Sequence, residues 1–97
     1  MKVLFSPESR QDLREIFRYI ARDNLDAAIG FVRRLRQRCL DVAPMPNVGR
    51  KRDEIRQGFR SVTEGDYVII YRIRPDAVEI LHIVQGNRDL SKIVFPE

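Results

Sequence analysis

The chain has 97 residues, enough for one domain with a modest core and too few for two, so we expect a single domain over residues 1–97. Its one cysteine and one histidine exclude an intramolecular disulfide and a Cys/His metal centre, and no pattern indicates a cofactor. No apolar run approaches the roughly 20 residues that span a bilayer, and the N-terminus lacks a signal-peptide pattern. These features predict a soluble, cytoplasmic protein with no membrane partner.

The net charge of +4 is spread unevenly along the chain. Residues 33–60 contain nine basic and three acidic side chains, which gives this segment a net charge of +6. Fifteen of the eighteen basic residues are arginine, whose planar fork suits carboxylate or phosphate groups. The composition therefore predicts an acidic partner.

A short strand over residues 1–5 and an amphipathic helix open the predicted fold. Ser6 can cap the helix through its hydroxyl, and Pro7 suits the first helical position, where no amide donor is missed. The helix is expected to end near Asp23. Its apolar stripe recurs at helical spacing and consists of Leu13, Ile16, Phe17, Ile20 and Ala21.

The same helix carries a second row at four-residue spacing, made of Arg10, Arg14, Arg18 and Arg22. One interpretation is a solvated flank that Asp12 and Glu15 moderate, because exposed charges usually contribute little. The other is a contact ridge for an acidic protein partner.

A second helix is predicted from Asn24, which can cap it, to the prolines at 44 and 46, which stop it. Its apolar side consists of Ala28, Phe31, Val32, Leu35, Cys39 and Val42. Because the connection between the helices is short, we expect an antiparallel helical hairpin that covers one face of a sheet. Cys39 is expected to be a buried structural thiol within that stripe.

Residues 44–58 form a polar connector that is rich in turn-forming residues. Such loops often carry binding residues, although Arg52 and Arg56 could instead pair locally with Asp53 and Glu54. A strand at residues 59–63 follows and leads through a turn into the next segment.

Two apolar runs, residues 67–74 and 78–84, are joined by Pro75-Asp76-Ala77 and predict a β-hairpin. Both strands are apolar at nearly every position, so we expect both faces of the hairpin to be covered. Gly86 permits a sharp exit that places Arg88 and Asp89 at the rim of the sheet. The predicted order of elements is β-α-α-β-β-β.

The C-terminal tail, residues 90–97, contains three consecutive apolar residues, Ile93, Val94 and Phe95. They could dock on the core, as apolar residues usually do, or present an apolar surface to a partner. The sequence leaves both possibilities open.

One type of catalytic chemistry is compatible with these residues, namely acid–base cleavage of RNA assisted by cations. The cations would be Arg60, Arg72 and Arg88, and His82 or Tyr71 would transfer protons. Nothing in the sequence fixes their convergence, and a lone histidine between two apolar strand residues is more often structural.

The order of elements and several local motifs together resemble the ParE branch of the RelE/ParE toxin superfamily, over almost the whole chain. These motifs are Asp12-Leu13 with Ile16 and Tyr19-Ile20; Ala27-Ala28; Pro46 with Gly49-Arg50; Arg52-Asp53-Glu54-Ile55-Arg56; Gly58-Phe59-Arg60-Ser61; Tyr67-Val-Ile-Ile-Tyr-Arg72; and Gly86-Asn-Arg-Asp-Leu90. The resemblance implies an α+β fold with a helical hairpin packed on an antiparallel sheet.

The resemblance also implies a toxin of a type II toxin–antitoxin module, of the kind linked to plasmid stabilization, with a ParD-like antitoxin as partner. DNA would be contacted only indirectly, through the antitoxin. ParE-like toxins generally act on DNA gyrase without catalysis of their own, whereas RelE-like relatives cut messenger RNA on the ribosome.

Several positions favour the ParE-like activity over the ribonuclease. Val68 and Val94 stand where the RelE pattern has an arginine and a tyrosine, and Phe59 and Ser61 stand where it has lysines; Arg88 alone matches. We therefore predict a non-enzymatic gyrase inhibitor. The alternatives are a ribosome-dependent ribonuclease or a degenerate module that only binds an antitoxin.

The predicted contact residues are Arg50, Arg52, Arg56, Arg60, Arg88, Ile93, Val94 and Phe95. If the protein is a nuclease, the predicted site is His82, Arg88, Arg60 and Arg72.

Overall fold

Two helices pack on one face of a five-stranded sheet in the structure, a computed structural model that describes residues 1–95. Pro96 and Glu97, the end of the predicted tail, lie outside the described residues. The elements are β1 (Lys2–Phe5), α1 (Pro7–Ala21), α2 (Leu25–Val42), β2 (Arg50–Lys51), β3 (Phe59–Glu64), β4 (Tyr67–Ile73) and β5 (Ala77–Gln85), with 3-10 turns at Pro46–Val48 and Leu90–Lys92. In the described part of the chain, neither helix is both long and apolar enough to cross a membrane.

Both helices begin where the sequence predicts. The Ser6 hydroxyl oxygen accepts a hydrogen bond from the Ser9 amide at 3.0 Å, and the Asn24 side chain accepts one from the Ala27 amide at 3.0 Å. Each bond satisfies an amide that the first helical turn leaves without a partner. The predicted caps are therefore confirmed, and α1 ends at Ala21, two residues before the predicted end.

The strand order is β1-β5-β4-β3-β2, and β1 runs parallel to β5 while the other neighbours are antiparallel. The predicted antiparallel sheet is thus correct for β2 to β5, and β1 makes the whole sheet mixed. The helical hairpin and three strands separate β1 from its partner, so no tight turn imposes an antiparallel direction.

The connector predicted as a loop contains one further strand. In β2, Arg50 pairs with Ser61 and Lys51 pairs with Arg60 of β3. The prediction missed this strand because two charged residues show no alternation, and main-chain hydrogen bonding alone defines it.

The main core lies between the helices and the sheet. Its buried residues include Leu13, Ile16, Leu35, Cys39, Val42, Ile69, Tyr71, Val78, Ile80 and Ile83. Cys39 is fully buried, and burial raises the pKa of its thiol to about 12. The prediction of a structural thiol on the α2 stripe is confirmed.

A second apolar cluster covers the sheet face opposite the helices. We call this surface the tail face, and its sheet residues are Phe59, Val68, Ile70, Leu81 and Val84. A bulge in β5 accounts for the place of Leu81: Ile70 pairs with His82 and Tyr71 with Ile80, so Leu81 is an extra residue between them. The expectation that both faces of the hairpin are covered is confirmed.

Candidate functional site

An open groove of about 700 Å³ runs along the helical hairpin, with one end at β1. We call it the arginine groove, and its lining residues are Phe5, Arg10, Leu13, Arg14, Phe17, Arg18, Val32 and Arg36. The four apolar side chains are buried or half-buried, whereas the four arginines are exposed. The groove therefore combines an apolar floor with a cationic rim.

Two carboxylates that could have neutralised this rim are engaged elsewhere. Glu15 accepts a hydrogen bond from Gln11 at 3.4 Å, and Asp12 turns towards the sheet. Arg10 and Arg18 make no ion pair with any residue in the described part of the chain. Of the four-arginine row in the sequence, the first three members line the groove and Arg22 does not.

The tail crosses the tail face after the turn at Leu90–Lys92. The Phe95 ring lies 5.1 Å from Phe59 and 5.3 Å from His82, both edge to face, and is 9% exposed. Ile93 is partly buried against the same cluster, whereas Val94 points outward and is 83% exposed. The sequence left open whether these apolar residues dock on the core or face a partner. In the structure Ile93 and Phe95 dock on the core, and Val94 is left in solvent.

His82 joins three parts of the fold. Its Nδ1 lies 2.7 Å from Asp12 Oδ2 on α1, and its Nε2 lies 3.2 Å from the Val94 carbonyl oxygen of the tail. The same Asp12 oxygen accepts the Ile83 amide at 2.8 Å, which satisfies a donor on the strand edge beyond β1. The hydrogen bond that the Asp12 carboxylate accepts from the ring raises the pKa of His82 and outweighs the opposing effect of burial.

Tyr71 fixes the segment that leads into β2. Its hydroxyl donates to the Pro46 carbonyl at 2.7 Å and accepts the Gly49 amide at 2.9 Å, and its side chain is fully buried. Arg60 supports the same segment by donating to the Gly49 carbonyl at 2.8 Å. Tyr71 and Arg60 therefore hold the connector against the helix-side face of the sheet.

Residues 3–90 match the family model described as the ParE toxin of the type II toxin–antitoxin system parDE. The chain belongs to this ParE toxin family. Toxin ParE1 of Mycobacterium tuberculosis is 33% identical over 93 residues, which are 94% of this chain and 95% of the relative. Toxin ParE3 of Caulobacter vibrioides is 27% identical over 81 residues, 82% and 81% of the two chains.

A solved structure supports the ParE fold. A chain of the chromosomal ParDE TA system from P. aeruginosa superposes with a TM-score of 0.75 over 88% of this chain and 95% of that chain. The two share 19% sequence identity, so the likeness concerns the fold. The fold predicted from the ParE resemblance is confirmed.

Within this ParE chain, several predicted contact residues share one side. Arg52 and Arg88 border the same cleft, together with Ile55 and Leu90 at the edge of the tail face. Arg50 faces the same side, because it pairs with Ser61 and Ser61 pairs with the tail-face residue Ile70.

The connector arginines have different environments. Arg52 donates to Ser61 at 2.8 Å and pairs with Glu54 at 3.3 Å, so part of the predicted local pairing exists. The Arg56 guanidinium lies 5.4 Å from the Phe59 ring centroid. Arg60, in contrast, faces the helix side with Tyr71 and is separated from the other predicted contact residues.

The residues predicted for a nuclease site are not brought together. Arg60 lies on the helix-side face, and Arg72 pairs with Glu79 at 2.7 Å on the other face, opposite Phe59. His82 and Arg88 alone border a common cavity, which Glu8 and Lys92 also line. Tyr71 is committed to the two bonds described above. Within residues 1–95, no group of three His, Cys, Asp or Glu side chains is arranged to hold a metal ion.

Sequence reasoning missed Asp12, which it interpreted only as a moderator of the arginine row. No local signal could have identified it, because Asp12 and His82 are 70 positions apart. The one available signal is His82 itself, because a histidine that is buried in a strand needs hydrogen-bond partners for its ring nitrogens, and a carboxylate such as Asp12 can supply one.

Proposed function

We propose that this ParE-family toxin is neutralised by a ParD-like antitoxin that occupies the arginine groove, and that it inhibits DNA gyrase as a protein ligand without catalysis. The site of action would be the cytoplasm, and the antitoxin would provide the contact with DNA. The observation that carries the proposal is the closed, apolar tail face, which stands where a nuclease of this superfamily would need charged groups.

The arginine groove is suited to a segment that is both acidic and apolar. Its floor offers apolar surface that a bound segment can bury, and each Å² of apolar surface removed from water contributes roughly 25 cal/mol to the binding free energy. Its exposed arginines would meet carboxylates on both flanks of the bound segment and would select against basic or neutral segments. An antitoxin region in which acidic and apolar residues alternate is therefore expected to bind there.

The groove assignment is tested by Arg18→Glu, with the antitoxin encoded by the neighbouring reading frame as ligand. A rim ion pair contributes about 0.2–1 kcal/mol. Losing it and adding a repulsion of similar size should weaken binding by about 1–2 kcal/mol, or about 5- to 30-fold in Kd. Lys51→Glu is the matched control, because it makes the same charge change on β2 away from the groove. Equal losses in both variants, measured by calorimetry, would refute the groove as the binding site.

The tail face supports an action on a protein target. Val68 is 6% exposed and Phe59 is 1% exposed within the apolar cluster, and the Phe95 ring packs against Phe59. Both ring nitrogens of His82 are already engaged in hydrogen bonds. A phosphate group at this surface would therefore find no free ring nitrogen on His82 to act as a general acid or base.

The target is tested with purified gyrase in a supercoiling assay and a DNA-cleavage assay. We expect the toxin to inhibit supercoiling or accumulate cleaved DNA, and we expect the antitoxin to abolish the effect. Arg88→Ala should weaken inhibition, because Arg88 is an exposed cation at the rim of the tail face with no ion pair inside residues 1–95. Inactivity at large molar excess would exclude gyrase as the target.

Two other outcomes would replace this proposal. Messenger RNA cut within translated codons, with loss of cutting in His82→Ala or Arg88→Ala, would establish a ribosome-dependent ribonuclease. Normal growth of cells that express the chain without its antitoxin would indicate a degenerate module that retains only antitoxin binding.

A further inference from the structure

The contact between His82 and the tail depends on the protonation of the ring. Asp12 and the Val94 carbonyl both offer acceptor oxygens, at 2.7 and 3.2 Å from the two ring nitrogens. A neutral imidazole has one N–H group and an imidazolium has two, so only the charged ring can donate both bonds. In the neutral ring, the nitrogen facing Val94 would point a lone pair at the carbonyl oxygen.

The neutral ring is expected to keep its bond to the carboxylate. A hydrogen bond to a charged acceptor is roughly twice as strong as one to a neutral acceptor. The N–H group should therefore remain on Nδ1, facing Asp12, and the bond to Val94 is the one that is lost.

The charged groups around the ring come from two elements. Helix α1 contributes Asp12 and Glu8, and one oxygen of Glu8 is buried without a hydrogen-bond partner among the described residues. The segment after β5 contributes Arg88 and Lys92, which line the same cavity as the ring and oppose its positive charge. The carboxylates prevail: the Asp12 bond raises the pKa of His82 above its ordinary 6.5, and the charges of Asp12 and Glu8 act in the same direction.

We propose that His82 is a proton-operated latch that holds residues 93–95 on the tail face. The charged ring bonds to Val94 and keeps the neighbouring Phe95 seated on Phe59. Deprotonation breaks that bond and favours release of the tail, which uncovers the apolar sheet residues of the tail face.

The direction of the pH dependence follows from the sign of the shift. A histidine with a raised pKa contributes stabilisation that is fully present below the unfolded-state value of 6.5 and is lost as the pH rises through its folded-state pKa. The tail is therefore held at acidic pH and loosened towards alkaline pH. The latch is a property of the fold and does not rest on the proposed function.

The test is an NMR titration of the isolated protein between about pH 5 and pH 9, the range in which a histidine changes charge. His82 is the sole histidine of the chain, so its Cε1–H signal reports its titration without overlap from another ring. Cross-peaks between the Phe95 and Phe59 rings report tail docking. We expect the cross-peaks to disappear as the pH rises, with the same midpoint as His82 and with that midpoint above 6.5.

Three variants identify the groups involved. Asp12→Asn keeps an acceptor for the Ile83 amide but removes the negative charge, and it should lower both midpoints together. His82→Gln can donate to the Val94 carbonyl at every pH, and it should make the Phe95 signals independent of pH. Glu15→Gln is the control, because Glu15 is an exposed α1 carboxylate that bonds to Gln11, and it should leave the midpoints unchanged.

The proposal is overturned if the Phe95 cross-peaks persist unchanged through the titration of His82. It is equally overturned if His82→Gln leaves their pH dependence intact. Both results come from the toxin alone, so they are independent of whether gyrase is the target.

Discussion

Replacing Tyr71 with phenylalanine removes a single hydroxyl that ties the connector to the sheet. That hydroxyl donates to the Pro46 carbonyl and accepts the Gly49 amide, and both the tyrosine and Gly49 are buried. Each hydrogen bond contributes about 0.5–1.5 kcal/mol net, and a buried donor left without a partner costs about 1–3 kcal/mol. We expect Tyr71→Phe to lower the free energy of unfolding by about 2 kcal/mol.

The assay is guanidinium unfolding followed by far-ultraviolet circular dichroism, with thermal unfolding as a second measurement. For a domain of this size, about 2 kcal/mol corresponds to a fall in Tm of about 8–16 °C. Tyr19→Phe is the control, because Tyr19 is 63% exposed and should change stability by less than about 0.5 kcal/mol. If Tyr71→Phe behaved like this control, the hydroxyl would not anchor the connector.

Three further predictions concern stability and reactivity. In Gly49→Ala the new Cβ would meet the Tyr71 hydroxyl oxygen and lie 2.7 Å and 2.8 Å from two carbons of the same ring, so we expect a loss of about 1–3 kcal/mol in denaturant unfolding, and unchanged stability would contradict the clash. Gly30→Ala should instead stabilise α2 by about 0.5–1 kcal/mol in the same assay, because the added Cβ would lie 3.8 Å from its nearest neighbour, a guanidinium nitrogen of Arg34. A loss of stability would contradict this expectation. Cys39 should resist Ellman's reagent in the native protein and react fully in guanidinium, and fast native labelling would disprove its burial.

Local features of the fold could be predicted from the sequence because their causes are local. Ser6 and Asn24 cap helices through bonds to amides three residues ahead, so a short window of sequence contains both partners. The β4–β5 hairpin is likewise encoded by two apolar runs and one turn. Helical and strand periodicity, which is also read within a short window, predicted the bounds of these elements to within a few residues.

What the sequence could not predict depends on partners far apart in the chain. The parallel pairing of β1 with β5, the two-residue strand β2 and the bulge at Leu81 have no periodic signature. The candidate site has the same character, because the tail contacts His82 on β5 and Phe59 on β3, which are far apart from each other in the sequence. Sequence reasoning therefore found the residues Arg88 and Phe95 but not the surface that they share.

Helix α1 connects the two candidate surfaces. Residues 10, 14 and 18 share one side of the helix at four-residue spacing and line the arginine groove. Asp12 lies two positions from Arg10 and from Arg14, which rotates it by about 200° to the other side, where it meets His82. A partner that fills the groove therefore contacts the same helix that holds the latch. It follows that groove variants must be checked by the His82 signal, because a change in antitoxin affinity can be assigned to the groove only when the latch is undisturbed.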